Sequence, residues 1–287
     1  MAVVKKTKAS DLQSSCKKLV TLLKKHYKPT GHHKHKLVLE TMLHAVCLEN
    51  STPELADESF ERLTKTFQDY NEVRVSTFAE LTPLFEGQSD PDTRAARIRS
   101  ILQFVFEINF DFDFEPLRRK TLDLAEKQMQ KIRFISSFIQ LQMLQASMDA
   151  HVVPLDDRMR DAAVWLGLAL PSASVQEAAD GLKSAVSKSD TVTFCDYFRC
   201  FALDPRFAAA FGKHKAPDDG HDLDEMLDRA TELIATAGKE PKAKPKAESN
   251  PAAAKASKPA PKASKPVSNK PAAKAPAKAT AAKKKPR

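Results

Sequence analysis

Four sets of residues in this sequence have types and spacings that chemistry can use. The first is a single acid. Asp156 follows the short apolar run Val152-Val153-Pro154-Leu155 and precedes Asp157-Arg158-Met159-Arg160, which places it at the mouth of a helix. A carboxylate there can act as an acid or base toward a bound substrate. It can equally accept the free amides of the first helical turn, a role that contributes about 1 kcal/mol. The second set is cationic and C-terminal: Lys242, Lys244, Lys246, Lys255, Lys258, Lys262, Lys265, Lys270, Lys274, Lys278, Lys283, Lys284, Lys285 and Arg287. Lysines spread along an extended chain neutralise phosphates and release condensed counterions without reading bases. The third is His32-His33-Lys34-His35. These imidazoles could ligate zinc or nickel, but adjacent histidines between lysines read better as a solvated turn, so no metal site is assigned. The fourth is the thiols Cys16, Cys47, Cys195 and Cys200, whose spacing does not repeat. That argues against a disulfide framework and for a reducing compartment.

Behind these residues stand two kinds of segment. From residue 239 onward, fifteen Lys and Arg face two acids, a net charge of +13. The whole chain carries +9, so residues 1–238 carry −4, and the pI near 9.3 belongs to the tail alone. The tail holds one large apolar side chain, Val267, and nine prolines that oppose long helices. Such a segment cannot bury enough surface to offset the entropy of ordering its backbone. Residues 239–287 are therefore expected to be a disordered basic tail, and residues 1–9 a disordered N-terminus. The tail's Lys-Ala-Pro texture resembles the C-terminal tails of linker histones and of histone-like bacterial nucleoid proteins, which implies DNA as partner. RNA satisfies the same physics, and a solubilising linker is the alternative. Lys5, Lys6, Lys8, Lys17, Lys18, Lys24 and Lys25 form a second basic cluster, either a charged helix face or a phosphate contact.

Residues 10–238 read as an all-α domain. Apolar residues recur at helical spacing over residues 11–25, 36–49, 91–108, 115–131, 134–148, 157–166, 174–187, 193–202 and 223–237. Thr52-Pro53-Glu54 opens another helix, a capping hydroxyl followed by proline in the first position. Alternating patterns at residues 72–75 and 152–155 are too short to build a sheet. No apolar run approaches the roughly 18 residues of a membrane span, and the N-terminus has no signal-peptide core. A soluble protein is expected, without a membrane partner, inside the cell in a nucleoid, bacterial cytoplasm or nucleus.

The segment from His151 to Leu168 resembles one in the helix-hairpin-helix DNA glycosylases, the endonuclease III superfamily, which reads roughly Val-Asp-Thr-His-Val-x-Arg-Val-x-x-Arg-Leu-Gly-Leu. Asp156 falls on the family's catalytic aspartate and Leu166-Gly167-Leu168 on its Leu-Gly-Leu. Met42-Leu43-His44-Ala45 resembles the family's early Leu-Leu-Ser-Ala helix, and Arg94-Ala95-Ala96-Arg97-Ile98 its Lys-Ala-x-x-Ile helix. The resemblance runs over about residues 10–205 in order and spacing. It implies a helical fold, DNA as partner, and base excision in which a carboxylate stabilises positive charge developing on a sugar once the base is swung out of the duplex.

The sequence also departs from the family. The hairpin Leu-Pro-Gly-Val-Gly-x-Lys-Thr-Ala is replaced by Gln130-Lys131-Ile132-Arg133-Phe134-Ile135-Ser136-Ser137-Phe138, with no glycine to let backbone amides approach a phosphate. Phe138 takes the place of the Schiff-base lysine and cannot supply an amine. Val46 stands where the family often places a gap-filling glutamine. The family's iron–sulfur cluster needs four thiolates in a Cys-x6-Cys-x2-Cys-x5-Cys pattern, against Cys195 and Cys200 here, so no cofactor is expected. The reading is a catalytically degenerate, DNA-binding member of the superfamily. The alternatives are a monofunctional, lyase-free glycosylase that uses Asp156, and a protein-interaction scaffold tethered to nucleic acid.

Overall fold

The computed structural model describes residues 9–29, 37–213 and 222–237. Every regular element among them is helical, as the all-α reading expects. The α-helices are α1 (Ala9–Leu23), α2 (Val38–Leu48), α3 (Pro53–Thr66), α4 (Tyr70–Val75), α5 (Phe78–Leu81), α6 (Pro91–Asn109), α7 (Leu122–Met129), α8 (Ser137–Met148), α9 (Asp157–Leu166), α10 (Val175–Ala185), α11 (Lys188–Ala202), α12 (Ala208–Lys213) and α13 (Met226–Ala237). No helix among the described residues is long and apolar enough to cross a membrane.

Two apolar cores organise them. The first is built from α2 to α8 and the turns between them, with Met42, Leu43, Phe85, Ile98, Leu102, Phe138 and Met143 fully or almost fully buried. Its axis is α2, in which every residue but Glu40 is buried. A helix apolar all round must lie inside, and α2 is enclosed by α3, α6 and α8. The second core draws on both ends of the described chain. Cys16, Leu19 and Leu23 of α1 pack among Met159, Ala163, Leu182, Phe194, Phe198 and Phe201, and α1 lies against α10, α11 and α13. The chain thus begins in the second core, builds the first, and returns through residues 149–156.

Local chemistry sets the boundaries. The Thr52 hydroxyl accepts from the Leu55 amide and Pro53 occupies the first position of α3. α9 ends at Gly167, whose φ of 79° is the left-handed conformation that terminates helices. Two expectations are corrected. Residues 115–131 do not form one helix: a 3-10 turn, Glu115–Arg119, stops at Lys120, and Thr121 caps a fresh start by accepting from the Leu124 amide. Residues 72–75, too short an alternation for a sheet, lie in the short helix α4 behind its cap Asp69, in keeping with the all-α reading. α11 begins at Lys188, five residues ahead of the expected start at 193, with Thr191 also on its buried side.

Candidate functional site

The two cores meet where the C-terminus of α2 faces the N-terminus of α9, and Asp156 stands in that seam. The expected helix mouth is there: Asp156 has extended backbone, and Oδ1 accepts from the Met159 amide at 2.9 Å. The second oxygen is also engaged. Oδ2 accepts from the Asn50 amide at 3.1 Å and from Arg199 Nη1 at 2.8 Å. The Asp156 side chain is 0% exposed and that of Arg199 3%. The carboxylate is therefore an N-cap, a buried ion-pair partner and a bond between the two cores at once.

Its partners are held just as firmly. Asn50, in the left-handed region at φ 52°, turns the chain out of α2. Its side-chain oxygen accepts from the Arg158 amide at 3.2 Å and its amide nitrogen donates to Asp157 at 3.4 Å, so it covers the start of α9 from outside. Arg199 reaches across from α11, donates to the Leu48 carbonyl at 3.2 Å, and lies 4.7 Å from the Phe138 ring centroid. Phe138 and Asp156, the positions that the resemblance gives to the lyase nucleophile and the catalytic acid, are thereby bridged by one guanidinium. Nη2 of Arg199 has no hydrogen-bond partner among the described residues.

The end of α2 is closed by a second arginine. Arg94, 3% exposed, donates to the carbonyls of Val46, Cys47 and Glu49 and, at 2.8 Å, to that of Ser89. The carbonyls of Val46, Cys47 and Glu49 lack partners inside the helix, and two cations meet the negative end of its dipole. Val46 is fully buried, so its side chain is part of the core. Next to the seam, Glu49 pairs with Arg97. Burial raises the Glu49 carboxyl above its ordinary value, while Arg97 and the Ser136 hydroxyl act against that rise.

Arg97 also donates through Nε to the Phe134 carbonyl at 3.0 Å. This ties the seam to the turn of residues 130–136, a hairpin that joins α7 to α8 without a glycine. Counting back from Phe138, Phe134 falls on the family's first hairpin glycine, and its φ of 62° is the left-handed value a glycine adopts freely. Ser136, at the second, caps α8 by accepting from the Ile139 amide at 3.2 Å. Lys131, Arg133 and Phe134 are exposed on this turn.

The thiols do not fit an iron–sulfur cluster. Cys16 and Cys195 lie in the second core and Cys47 in the first, and burial pushes each of the three thiols up to about 12. Cys200 is half-buried, its thiol pushed to about 11. Among the described residues no three His, Cys, Asp or Glu side chains group as metal ligands. Lys17 and Lys18 are exposed on α1, and Lys24 and Lys25 on the turn that follows it. The tail cations Lys242 to Arg287, the histidines His32, His33 and His35, and Lys5, Lys6 and Lys8 lie outside the described residues.

No protein-family model matches the sequence, and no curated protein matches it. Solved structures do match. Endonuclease III in a non-covalent DNA complex aligns with a TM-score of 0.55 at 12% identity, covering 78% of this chain and 98% of that one. A trapped endonuclease III–DNA covalent intermediate aligns with a TM-score of 0.52 at 11% identity, over 68% of this chain and 85% of the other. The H. pylori 3-methyladenine DNA glycosylase bound to 1,N6-ethenoadenine gives 0.51 at 16%, over 68% and 96%. The chain has the endonuclease III-like fold, that of the helix-hairpin-helix DNA glycosylases. Identities this low define the fold; the chemistry has to be argued from the site itself.

The residues that close the seam, Asn50, Arg94, Arg97 and Arg199, were not singled out by sequence reasoning as site residues. Arg199 carried a signal, as a lone cation among Phe194, Phe198 and Phe201 on an otherwise apolar helix face. Asn50 carried a weaker one, as a residue tolerant of left-handed backbone just past the end of a helix.

Proposed function

We propose that this chain is a DNA-binding protein on the endonuclease III-like fold that has lost base-excision chemistry and holds DNA chiefly through its lysine-rich tail. The observation that carries this reading is the state of Asp156. To act on a sugar a carboxylate must reach it, and here both oxygens are occupied and the side chain is enclosed. Freeing it would leave Arg199 charged and unpaired in the interior, which is strongly unfavourable. The lyase route has no amine, because Phe138 is buried beneath Arg199. What supports DNA as partner is the likeness of the fold to DNA-bound glycosylases, the hairpin with its exposed Lys131 and Arg133, and the tail. Residues 1–238 are net acidic, so phosphate neutralisation falls to the tail.

The test pairs binding with base release. The full chain is expected to bind duplex DNA with an affinity that falls steeply with salt, and to release no base from duplexes carrying alkylated, deaminated or mismatched bases. Base release by the full chain that vanishes in Asp156→Asn would replace this reading with that of a lyase-free glycosylase. Absence of DNA binding by the full chain would leave only the scaffold.

A further inference from the structure

The hairpin tip presents an aromatic ring where the backbone would favour glycine. Phe134 is held at φ 62°, unfavourable for a bulky residue, and is 58% exposed although Ile132 and Phe138 on either side are buried. Backbone strain and a solvated ring both oppose folding, and packing of this side chain does not offset them. The strained residue is nevertheless fixed: Arg97 donates to its carbonyl and is itself held by Glu49. The result is an aromatic face projected at a set position beside the seam.

Its surroundings select a ligand class. The run from Gln130 to Ser137 contains two cations, Lys131 and Arg133, and no acid, although residues 1–238 as a whole are net negative. Both cations are exposed, and the Arg133 guanidinium lies 5.3 Å from the Phe134 ring centroid. An exposed ring flanked by cations suits a nucleobase whose neighbouring phosphates are neutralised on either side. A fully paired duplex offers no free base face for such a ring. We propose that Phe134 is a stacking platform for an unpaired base, with Lys131 and Arg133 on the adjoining phosphates, and that this chain thereby prefers bulged or locally single-stranded DNA over intact duplex. The proposal rests on the DNA-binding reading above and names the substrate class that the hairpin would select.

The experiment uses the full chain at about 0.2 M salt, where tail-driven binding is weakened. Two duplexes are compared, one fully paired and one with a single bulged 2-aminopurine, with anisotropy reporting affinity and 2-aminopurine fluorescence reporting stacking. Wild type is expected to favour the bulged duplex by roughly tenfold and to quench the probe, in keeping with the scale of base–aromatic stacking. Phe134→Gly relieves the strained φ and so keeps the fold. It is expected to lose that preference and the quenching but still to bind the paired duplex, and Phe134→Trp is expected to retain both the preference and the quenching. Equal binding of the two duplexes by wild type, or an unchanged preference in Phe134→Gly, overturns the stacking role and leaves the ring to a protein contact. In that outcome salt-sensitive binding to the paired duplex persists and the DNA-binding reading stands. Binding to neither duplex, even at low salt, overturns both.

Discussion

Replacing Asp156 by asparagine should cost this protein much of its stability, and the size of the loss distinguishes a structural carboxylate from an available one. Asparagine keeps one oxygen for the Met159 amide, so the cap bond survives. In the arrangement that preserves this cap, an amide nitrogen replaces Oδ2 and faces two donors, the Asn50 amide and Arg199 Nη1. Arg199 is then a buried cation whose remaining acceptor is the Leu48 carbonyl at 3.2 Å. Breaking a buried ion pair from one side costs about 3–5 kcal/mol. The surviving cap and relaxation of the seam place Asp156→Asn near the lower end, about 3 kcal/mol. For a domain of roughly 200 residues each kcal/mol lowers Tm by about 2–4 °C, so a fall of about 10 °C is expected. Arg199→Met removes the charge while keeping apolar volume over Phe138. The double variant should therefore lose less than the two single variants together, with a coupling of about 2 kcal/mol. Urea unfolding of the four proteins measures it. If Asp156→Asn unfolds within about 1 kcal/mol of wild type and shows no coupling to Arg199, the carboxylate is not committed to the seam, and the case against base excision fails with it.

Arg94→Ala removes a buried guanidinium shared by four carbonyls, and a loss of about 3–5 kcal/mol is expected in the same unfolding assay, since hydrogen bonds from charged donors are the costly ones to delete. Tyr27→Phe deletes a 2.9 Å bond from the Tyr27 hydroxyl to Asp204 and should cost about 1.5 kcal/mol at neutral pH. The Asp204 carboxyl is lowered although burial opposes this, because bonds from the Arg206 side chain, the Arg206 backbone amide and Tyr27 outweigh burial. Its contribution is therefore present above the unfolded carboxylate value and lost as pH falls through the lowered folded value, so the Tyr27→Phe deficit should shrink in acid. Cys16, Cys47 and Cys195, buried and raised to about 12, should resist alkylation at pH 7.5 in the folded protein and react only after unfolding, as followed by mass spectrometry. Ending the chain at residue 238 should flatten the dependence of duplex affinity on salt, by about 0.9 in log–log slope for each phosphate contact removed.

Much of the helical content was legible because amphipathic periodicity is a property of neighbouring residues. α9 matches its expected span, and Thr52-Pro53 marks the start of α3 as anticipated. Position in a core was less legible where a short polar interruption decided the outcome, as at Lys120-Thr121, which splits an apparently continuous helix. At the site, sequence located Asp156 and its capping geometry but not its fate. That fate depends on Asn50, 106 residues earlier, and on Arg199, 43 residues later, and no local pattern records such pairings. The hairpin shows the same limit. The missing glycines spoke only to phosphate contact; that residues 130–136 still turn between α7 and α8, with Arg97 holding the Phe134 carbonyl and Ser136 capping α8, was not legible.

These two departures from the family pattern have a common physical consequence. In the seam, a charge that could have faced a substrate is neutralised internally by Arg199, and the position of the amine nucleophile is filled by the ring on which that guanidinium rests. At the hairpin, a position suited to bare backbone carries an exposed aromatic side chain instead. The first arrangement commits both carboxylate oxygens to bonds within the fold and joins the two cores. The second replaces close approach of backbone amides to a phosphate with a face suited to a base. Here each has a dedicated arginine, Arg199 for Asp156 and Arg97 for Phe134. That pairing is what the proposed function rests on: a carboxylate committed to the fold and an aromatic face held where a base could reach it.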